Sequence, residues 1–189
     1  MNTTEIVRFF FEIGHLRRIK HEGWKLVGVD APDSVAEHTL RAAQIGFVLA
    51  KLEDYANPYE VCTMVVFHDN GETRVGDIHK VANRYVNVDE ARAVREQLAR
   101  LGSIGDVVFD LWQQVEDRVT TAGIIAKDAD LLEQAVMAKE LIERGYTAAQ
   151  NWIDNVASLV RTASAQRLVA ALADAKTSDW WQGLKKLDK

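Results

Sequence analysis

Apolar residues recur at intervals of three and four positions along most of this chain, and that spacing is typical of amphipathic helices. The first such run follows a capping-box sequence, N-T-T-E at residues 2–5. Its apolar positions are Ile6, Val7, Phe9, Phe10 and Ile13. The pattern therefore predicts a helix close to the N-terminus.

Two further helices have clear start signals. S-V-A-E at residues 34–37 is another capping box, and the helix that it opens is predicted to run to about Leu52. N-P-Y-E at residues 57–60 combines an asparagine cap with a proline at the first helical position. That helix is predicted to run to about Val75, because Gly76 then gives a stop signal.

The helical pattern continues through the second half of the chain. Predicted helices cover residues 87–102, 103–119 (with Ser103 as the cap) and 121–145. Two or three shorter helices are expected in residues 147–187, and the last of them carries two tryptophans, Trp180 and Trp181.

Segments 19–33 and 76–88 lack the helical pattern and are predicted to be loops next to the histidine-bearing helices. No segment alternates apolar and polar residues as a half-buried strand would. We therefore predict an all-α fold, a single compact helical bundle that forms one domain over residues 1–189.

Composition and charge narrow the class of protein. The 189 residues are 48% apolar and 27% charged, as in an ordinary globular protein. A net charge of −5 argues against nucleic acid or an anionic membrane as a partner, although it allows a small anionic substrate. The single cysteine, Cys62, the N-terminus without signal-peptide features and the lack of a long apolar run predict a cytoplasmic protein.

Charged residues occur where the pattern predicts burial. His68, Asp69 and Glu72 directly follow the apolar run V-V-F, and a buried ionised group needs a partner. Within a helix these three residues lie over neighbouring turns. A ligand, a proton or a metal ion is the kind of partner that this arrangement predicts.

Two other predicted helices carry further candidates. His38 lies in the first turn of the helix at 34–52, and Asp128 and Asp130 lie among isoleucines and leucines in the helix at 121–145. Two imidazoles and two carboxylates from three helices suit a mixed nitrogen and oxygen site for a divalent transition metal. Taken singly, His38 is also explained as a hydrogen-bonded structural residue and either aspartate as a solvated one. A helical wheel mildly favours Asp128 over Asp130 as the inward-facing carboxylate.

Three stretches of the sequence resemble the HD-domain metal-dependent phosphohydrolases, whose pattern is H…HD…D in an all-helical domain. They are SVAEHTLRAA, VVFHDNGETRVGD and IAKDADLLEQ. Together with LRRIKHEGW upstream, they resemble the 5′-deoxynucleotidase branch over roughly residues 5 to 145. The resemblance implies a motif core over about residues 30–140, with the C-terminal helices of residues 147–187 packed on it.

The resemblance also implies roles for individual residues. One divalent transition metal (Mn, Co, Fe, Zn or Ni) would be bound by His38, His68, Asp69 and Asp130, the last chosen by the motif's K-x-x-D spacing. It implies that Glu72 acts as a catalytic acid or base beside Asp69. Substrate contacts would come from Asp77 to the sugar, from Trp24 as a pocket wall, and from an arginine to the phosphate. The branch's usual arginine is replaced here by His21, so Arg18 or Arg17 is expected to hold the phosphate.

The function that follows is a metal-dependent 5′-nucleotidase acting on (deoxy)nucleoside 5′-monophosphates, and the branch implies a homodimer. An HD-type phosphodiesterase or a nucleotide pyrophosphohydrolase would share the metal ligands and differ in pocket width. A helical regulatory protein with a vestigial site is the alternative from another class, although none of the expected ligands is missing from the sequence. No nucleic acid or membrane is expected as a partner.

Overall fold

The computed structural model describes residues 2–185, and helices account for all of the regular structure in that range. The α-helices are α1 (Thr3–Ile13), α2 (Val35–Leu52), α3 (Pro58–Phe67), α4 (Glu72–Val75), α5 (Glu90–Leu98), α6 (Ser103–Asp117), α7 (Thr121–Glu143), α8 (Gln150–Leu159), α9 (Ala163–Ala171) and α10 (Asp179–Gln182). Short 3₁₀ turns cover Gly14–Arg17, Glu22–Val27, Ala82–Arg84, Thr147–Ala149 and Gly183–Lys185. No strand occurs in these residues, so the prediction of an all-α fold is confirmed.

Local sequence signals determine where most helices begin. Ser34 Oγ accepts the backbone N–H of Glu37 at 3.3 Å, and the Glu37 carboxylate accepts the N–H of Ser34 at 2.7 Å, so the predicted capping box is present. Two starts differ from the prediction. Helix α5 begins at Glu90 instead of residue 87, because Asp89 caps it. Gly102, at a φ of +56°, precedes α6, and no side chain caps that helix.

The predicted helix from residue 57 to Val75 is wrong in its middle. Helix α3 ends at Phe67, and the chain passes through a turn of i→i+3 hydrogen bonds before α4 begins at Glu72. Helix α5 packs closely on this turn, since a Cβ on Gly71 would lie 2.6 Å from Glu90 Cγ. His68 and Glu72 therefore lie on either side of a tightened turn and not on one continuous helix.

Helices α2, α3 and α7 pack against one another and form the centre of the molecule. They approach closely at Gly46, where a Cβ would lie 3.3 Å from Val65 and 3.5 Å from Ala129. Side chains of α8 and α9, such as Val156 and Val169, belong to the same buried cluster. The three histidine- and aspartate-bearing segments are thus held by one tightly packed core. None of the helices in residues 2–185 is long and apolar enough to cross a membrane.

Candidate metal centre and adjoining cavity

Four predicted ligands converge where α2, α3 and α7 meet. Nε2 of His38 lies 3.2 Å from Oδ1 of Asp130 and 3.7 Å from Oδ2 of Asp69. Nε2 of His68 lies 3.2 Å from Oδ2 of Asp69 and 3.6 Å from Oδ1 of Asp130. His38, His68 and Asp130 are buried, and their ligand atoms lie within 4.8 Å of one another.

This arrangement fits a divalent metal ion. Transition-metal ligands lie about 2.0–2.2 Å from the ion, so two ligands of one ion are separated by at most roughly 4.4 Å. The four nitrogen-to-oxygen separations, from 3.2 to 3.7 Å, are within that limit. Nδ1 of His68 donates to the carbonyl of Val65 at 2.7 Å, which leaves Nε2 as the lone-pair nitrogen. That Nε2 is buried and has no hydrogen-bond partner among the described residues, as expected of a nitrogen that binds a metal.

His38 contacts an ion pair through Nδ1, the ring nitrogen that does not face the cluster, and the sequence analysis missed this pair. Its Nδ1 forms a short hydrogen bond with Oε2 of Glu133. Arg41 Nη2 lies 2.6 Å from the other oxygen of Glu133, and Arg41 Nη1 lies 2.8 Å from Glu140. Burial would raise the pKa of Glu133, but the His38 and Arg41 contacts outweigh it and hold that pKa below its usual value. Glu133 therefore remains a carboxylate that orients the imidazole.

The charges around Asp130 favour its ionised form. Burial alone would raise its pKa, but Lys127 Nζ, 2.9 Å from Oδ2, and the two imidazoles hold the pKa well below the usual range. Burial likewise opposes protonation of His38 and His68, yet the neighbouring carboxylates raise the pKa of both rings. The imidazoles and the carboxylates thus stabilise one another's charged forms, and a bound cation would compete with protons for the same nitrogen atoms.

Asp128 is fully buried but does not face the two histidines. Its Oδ1 pairs with Arg118 Nη2 at 2.9 Å. Its Oδ2 accepts the backbone N–H groups of Arg161 at 2.9 Å and Thr162 at 2.7 Å. The wheel was right that Asp128 is inward-facing, and these bonds show that it joins α7 to the turn between α8 and α9.

Glu72 lies beside the cluster without joining it. Its Oε2 is buried and has no hydrogen-bond partner in residues 2–185. Burial and the negative charges of Asp69, Asp77 and Glu90 raise the pKa of Glu72 to about 10 in the metal-free protein. Glu90, which the sequence analysis did not single out, is also partly buried, and burial and neighbouring acids raise its pKa to about 7. A neutral carboxyl group beside a metal site can donate a proton.

An open cavity of about 180 Å³ adjoins the cluster. The predicted substrate residues Asp77 and Trp24 both line it, whereas Arg18 is exposed and is not among its lining residues. His21, at the position where an arginine was expected, also lines the cavity, and its ring centroid lies 4.5 Å from that of His38. The contact of Arg18 with phosphate stays a prediction.

Two lining residues, Gln134 and Trp152, were not among the predicted site residues. Gln134 lines the cavity and donates to Asp130 Oδ1 at 3.0 Å. Trp152, on α8, lines it from the C-terminal part of the chain. Glu133 could have been found as an acid three positions after Asp130 on a buried helix. No sequence signal distinguished Trp152 from the other tryptophans.

Comparison with known proteins identifies the family. The HD-domain family model matches residues 13–171. The protein named 5′-deoxynucleotidase HDDC2 from Dictyostelium discoideum is 33% identical over 71% of this chain and 76% of its own length. Its namesake from Xenopus laevis is 27% identical over 92% of this chain and 88% of its own length. A crystal structure of a genomics target is 32% identical, with a TM-score of 0.80 over 95% of this chain and 99% of that one. The buried His-and-Asp cluster is thus found in a chain that belongs to the HD-domain family.

Proposed function

We propose that this protein is a metal-dependent 5′-deoxynucleotidase, a hydrolase that removes phosphate from deoxynucleoside 5′-monophosphates. The observation that carries the proposal is the cluster of buried His38, His68 and Asp130 with half-buried Asp69, next to a cavity lined by Asp77. The names of the relatives, 5′-deoxynucleotidases at up to 33% identity, support the same substrate class.

The four clustered residues would hold one divalent ion. When bound, such an ion supplies positive charge for the phosphate oxygens and acidifies water, which provides a nucleophile at neutral pH. The mixed donor set tolerates Mn, Co, Fe, Zn or Ni. Glu133 and Arg41 hold the His38 ring in place, and the Val65 carbonyl fixes the tautomer of His68.

Glu72 is the proposed acid–base residue. Burial and neighbouring acids raise the pKa of its carboxyl group to about 10. Without a bound cation the group therefore carries a proton at neutral pH, and a cation bound nearby would lower that pKa. A proton at this position can be given to the leaving 5′-oxygen of the sugar. Asp69, three positions before Glu72, would bind the metal, and its negative charge helps to raise the pKa of Glu72.

The cavity would hold the nucleoside. Asp77 Oδ2 accepts the backbone N–H of Glu22 at 2.7 Å, which leaves Oδ1 to accept a hydrogen bond from a sugar hydroxyl. Trp24 forms a wall. For the phosphate, His21 and Lys80 line the cavity and are therefore better placed than the exposed Arg18. We propose that one or both contribute hydrogen-bond donors there.

A substrate panel run with each metal after chelation tests the proposal. We expect hydrolysis of deoxynucleoside monophosphates, restored by a divalent transition metal, and little hydrolysis of cyclic or polyphosphate nucleotides. Preference for cyclic nucleotides would indicate a phosphodiesterase, and preference for triphosphates a pyrophosphohydrolase. A protein that binds metal and nucleotide but hydrolyses none of these nucleotides would be the regulatory alternative.

We also propose a cytoplasmic homodimer. Large apolar side chains on α2 and α3 are exposed, among them Leu40, Val48, Tyr59 and Val66. Exposed apolar residues on neighbouring helices are common at subunit interfaces. Light scattering coupled to gel filtration gives the mass in solution, and a mass near 21.2 kDa would contradict the dimer.

A further inference from the structure

Four aromatic rings are linked by successive contacts that begin at His38 of the metal cluster. The ring centroids of His38 and His21 lie 4.5 Å apart, and those of His21 and Trp24 lie 6.5 Å apart. Trp24 then packs on Trp152, with centroids 5.1 Å apart and planes tilted by 36°. Trp152 is thus the last ring in this series of contacts, and it is supplied by helix α8, far along the chain from the other three rings.

The two tryptophans differ in how much surface they can offer to a ligand. Trp24 is 2% exposed and packs among Ala138, Leu141 and Ala149, so its ring belongs mainly to the core. Trp152 is only half-buried and lines the cavity. Part of the Trp152 ring is uncovered because residue 23 is a glycine. A Cβ at Gly23 would lie 3.5 Å from Trp152 Cζ2 and would cover that edge of the ring.

The same cavity is linked to the cluster through two other side chains. Gln134 lines the cavity and donates to Asp130 Oδ1 at 3.0 Å. His21 lines it as well and contacts the His38 ring. A nucleotide whose phosphate lies at the cluster, and whose sugar reaches Asp77, would therefore place its base in this cavity, where Trp152 is the less buried of the two lining tryptophans.

We infer that Trp152 is the wall against which the nucleobase packs, so that helix α8 contributes to the choice of substrate. The inference rests on the proposed function, because it takes the phosphate to be bound at the metal cluster. Aromatic side chains bind every base through its π-face. Such a wall strengthens binding of all nucleotides and discriminates against sugar phosphates that have no base.

The test compares ligands with and without a base. KM is measured for dAMP and dTMP, and the competitive inhibition constant is measured for 2-deoxyribose 5-phosphate. Removing one base–aromatic contact typically weakens binding about 5- to 150-fold. We expect Trp152→Ala to raise both KM values within that range and to leave the inhibition constant of the sugar phosphate unchanged.

Two further variants separate a binding role from a structural one. Trp152→Leu keeps an apolar contact with Trp24 but has no aromatic face, so it should show the same selective rise in KM even if Trp152→Ala does not fold. Trp180→Ala removes an exposed tryptophan of α10 that is not among the lining residues, and it should change neither constant.

An equal weakening of the nucleotides and of the sugar phosphate in the Trp152 variants would overturn the inference, and so would no weakening of either. Both outcomes leave the proposed function standing as long as the wild-type protein hydrolyses deoxynucleoside monophosphates. If the wild-type protein fails to hydrolyse them with any metal, the proposed function itself has failed.

Discussion

Arg41 and Glu133 form a two-contact ion pair, with Arg41 Nη2 at 2.6 Å and Nε at 2.8 Å from Glu133 Oε1. The second oxygen of Glu133 faces Nδ1 of His38. The arginine therefore keeps Glu133 ionised, and Glu133 holds the ring of His38 so that Nε2 is directed at the cluster. Arg41 is not one of the predicted metal ligands, but through Glu133 it affects how firmly the His38 ring is held for binding the metal.

Glu133→Gln should weaken metal binding by about 10- to 100-fold, as is typical when the partner of a ligating histidine is removed. The measurement is the dissociation constant for the metal, by titration of the chelated protein. Glu140→Gln is the matched control, because it removes the other partner of Arg41 without touching His38. Equal losses in the two variants would contradict a specific role for Glu133.

Asp130→Ala and Asp128→Ala should have opposite effects, although the two residues lie on the same helix. We expect Asp130→Ala to lose the metal, since its Oδ1 lies 3.2 Å from the His38 nitrogen. Asp128→Ala should keep the metal and lower the free energy of unfolding by about 3–5 kcal/mol, because Arg118 loses its ion-pair partner and the amides of Arg161 and Thr162 lose their acceptor. Metal per protein chain and denaturant melts measure the two effects. Loss of metal from Asp128→Ala in folded protein would contradict the assignment.

Glu72→Ala should lower kcat by about 10²- to 10⁴-fold, the usual contribution of a general acid or base. Metal content should stay near wild type and KM should change little, because the proposed role of Glu72 is proton transfer and not metal binding. Metal analysis and steady-state kinetics at saturating metal measure the two effects. Loss of the metal together with activity would make Glu72 a ligand, and retention of both would make it structural.

The stability of the metal-free protein should fall as the pH rises. The pKa of Glu72 is raised to about 10 by burial and neighbouring acids, so the folded state binds a proton that the unfolded state releases near pH 4.5. This contribution is present in full below about pH 4.5 and is lost as the pH rises towards 10. The raised pKa values of His38 and His68 act in the same direction.

Thermal melts of chelated protein between about pH 5 and pH 9 check this pH dependence. Glu72→Gln, which cannot ionise, should make the decline in Tm shallower. An equally steep decline of Tm in the wild-type protein and in Glu72→Gln would contradict a proton on Glu72 in the folded protein.

Chelation should also lower Tm at constant pH. A metal that binds only the folded state stabilises it by about 2.7 kcal/mol at a free concentration 100 times its dissociation constant. The measurement is Tm with and without added metal, and Asp130→Ala should show no such difference. Undiminished phosphatase activity after complete chelation would mean that the cluster does not serve catalysis.

The parts of the fold that the sequence predicted well depend on short-range signals. The capping box of Ser34 and Glu37 needs only residues three positions apart, and it places His38 in the first turn of α2. The tightened turn after Phe67 was missed because the apolar pattern was extended past Asn70-Gly71, a dipeptide that favours turns. The start of α5 also packs against this turn, since Glu90 lies close to Gly71, and that contact between distant residues is not visible in the sequence.

The same distinction applies to the site. Motif spacing selected Asp130, and the structure brings that residue, not Asp128, to the two histidines. A helical wheel detects burial, and Asp128 is indeed buried, but burial does not reveal which partner a carboxylate has. Trp152 was missed because its partner, Trp24, is distant in the sequence, whereas the spacing from Asp130 to Glu133 was a signal that was not used.

The hydrogen bond from the Glu22 amide to Asp77 joins two positions 55 residues apart. A backbone amide exchanges its hydrogen with solvent deuterium only when such a bond opens, so the exchange rate of this single amide registers each local opening of the cavity wall. A substrate that donates a hydrogen bond to the Asp77 carboxylate would change that exchange rate. The amide of Glu22 is thus a built-in reporter, through which occupancy of the cavity could be followed by mass spectrometry or NMR without any label on the ligand.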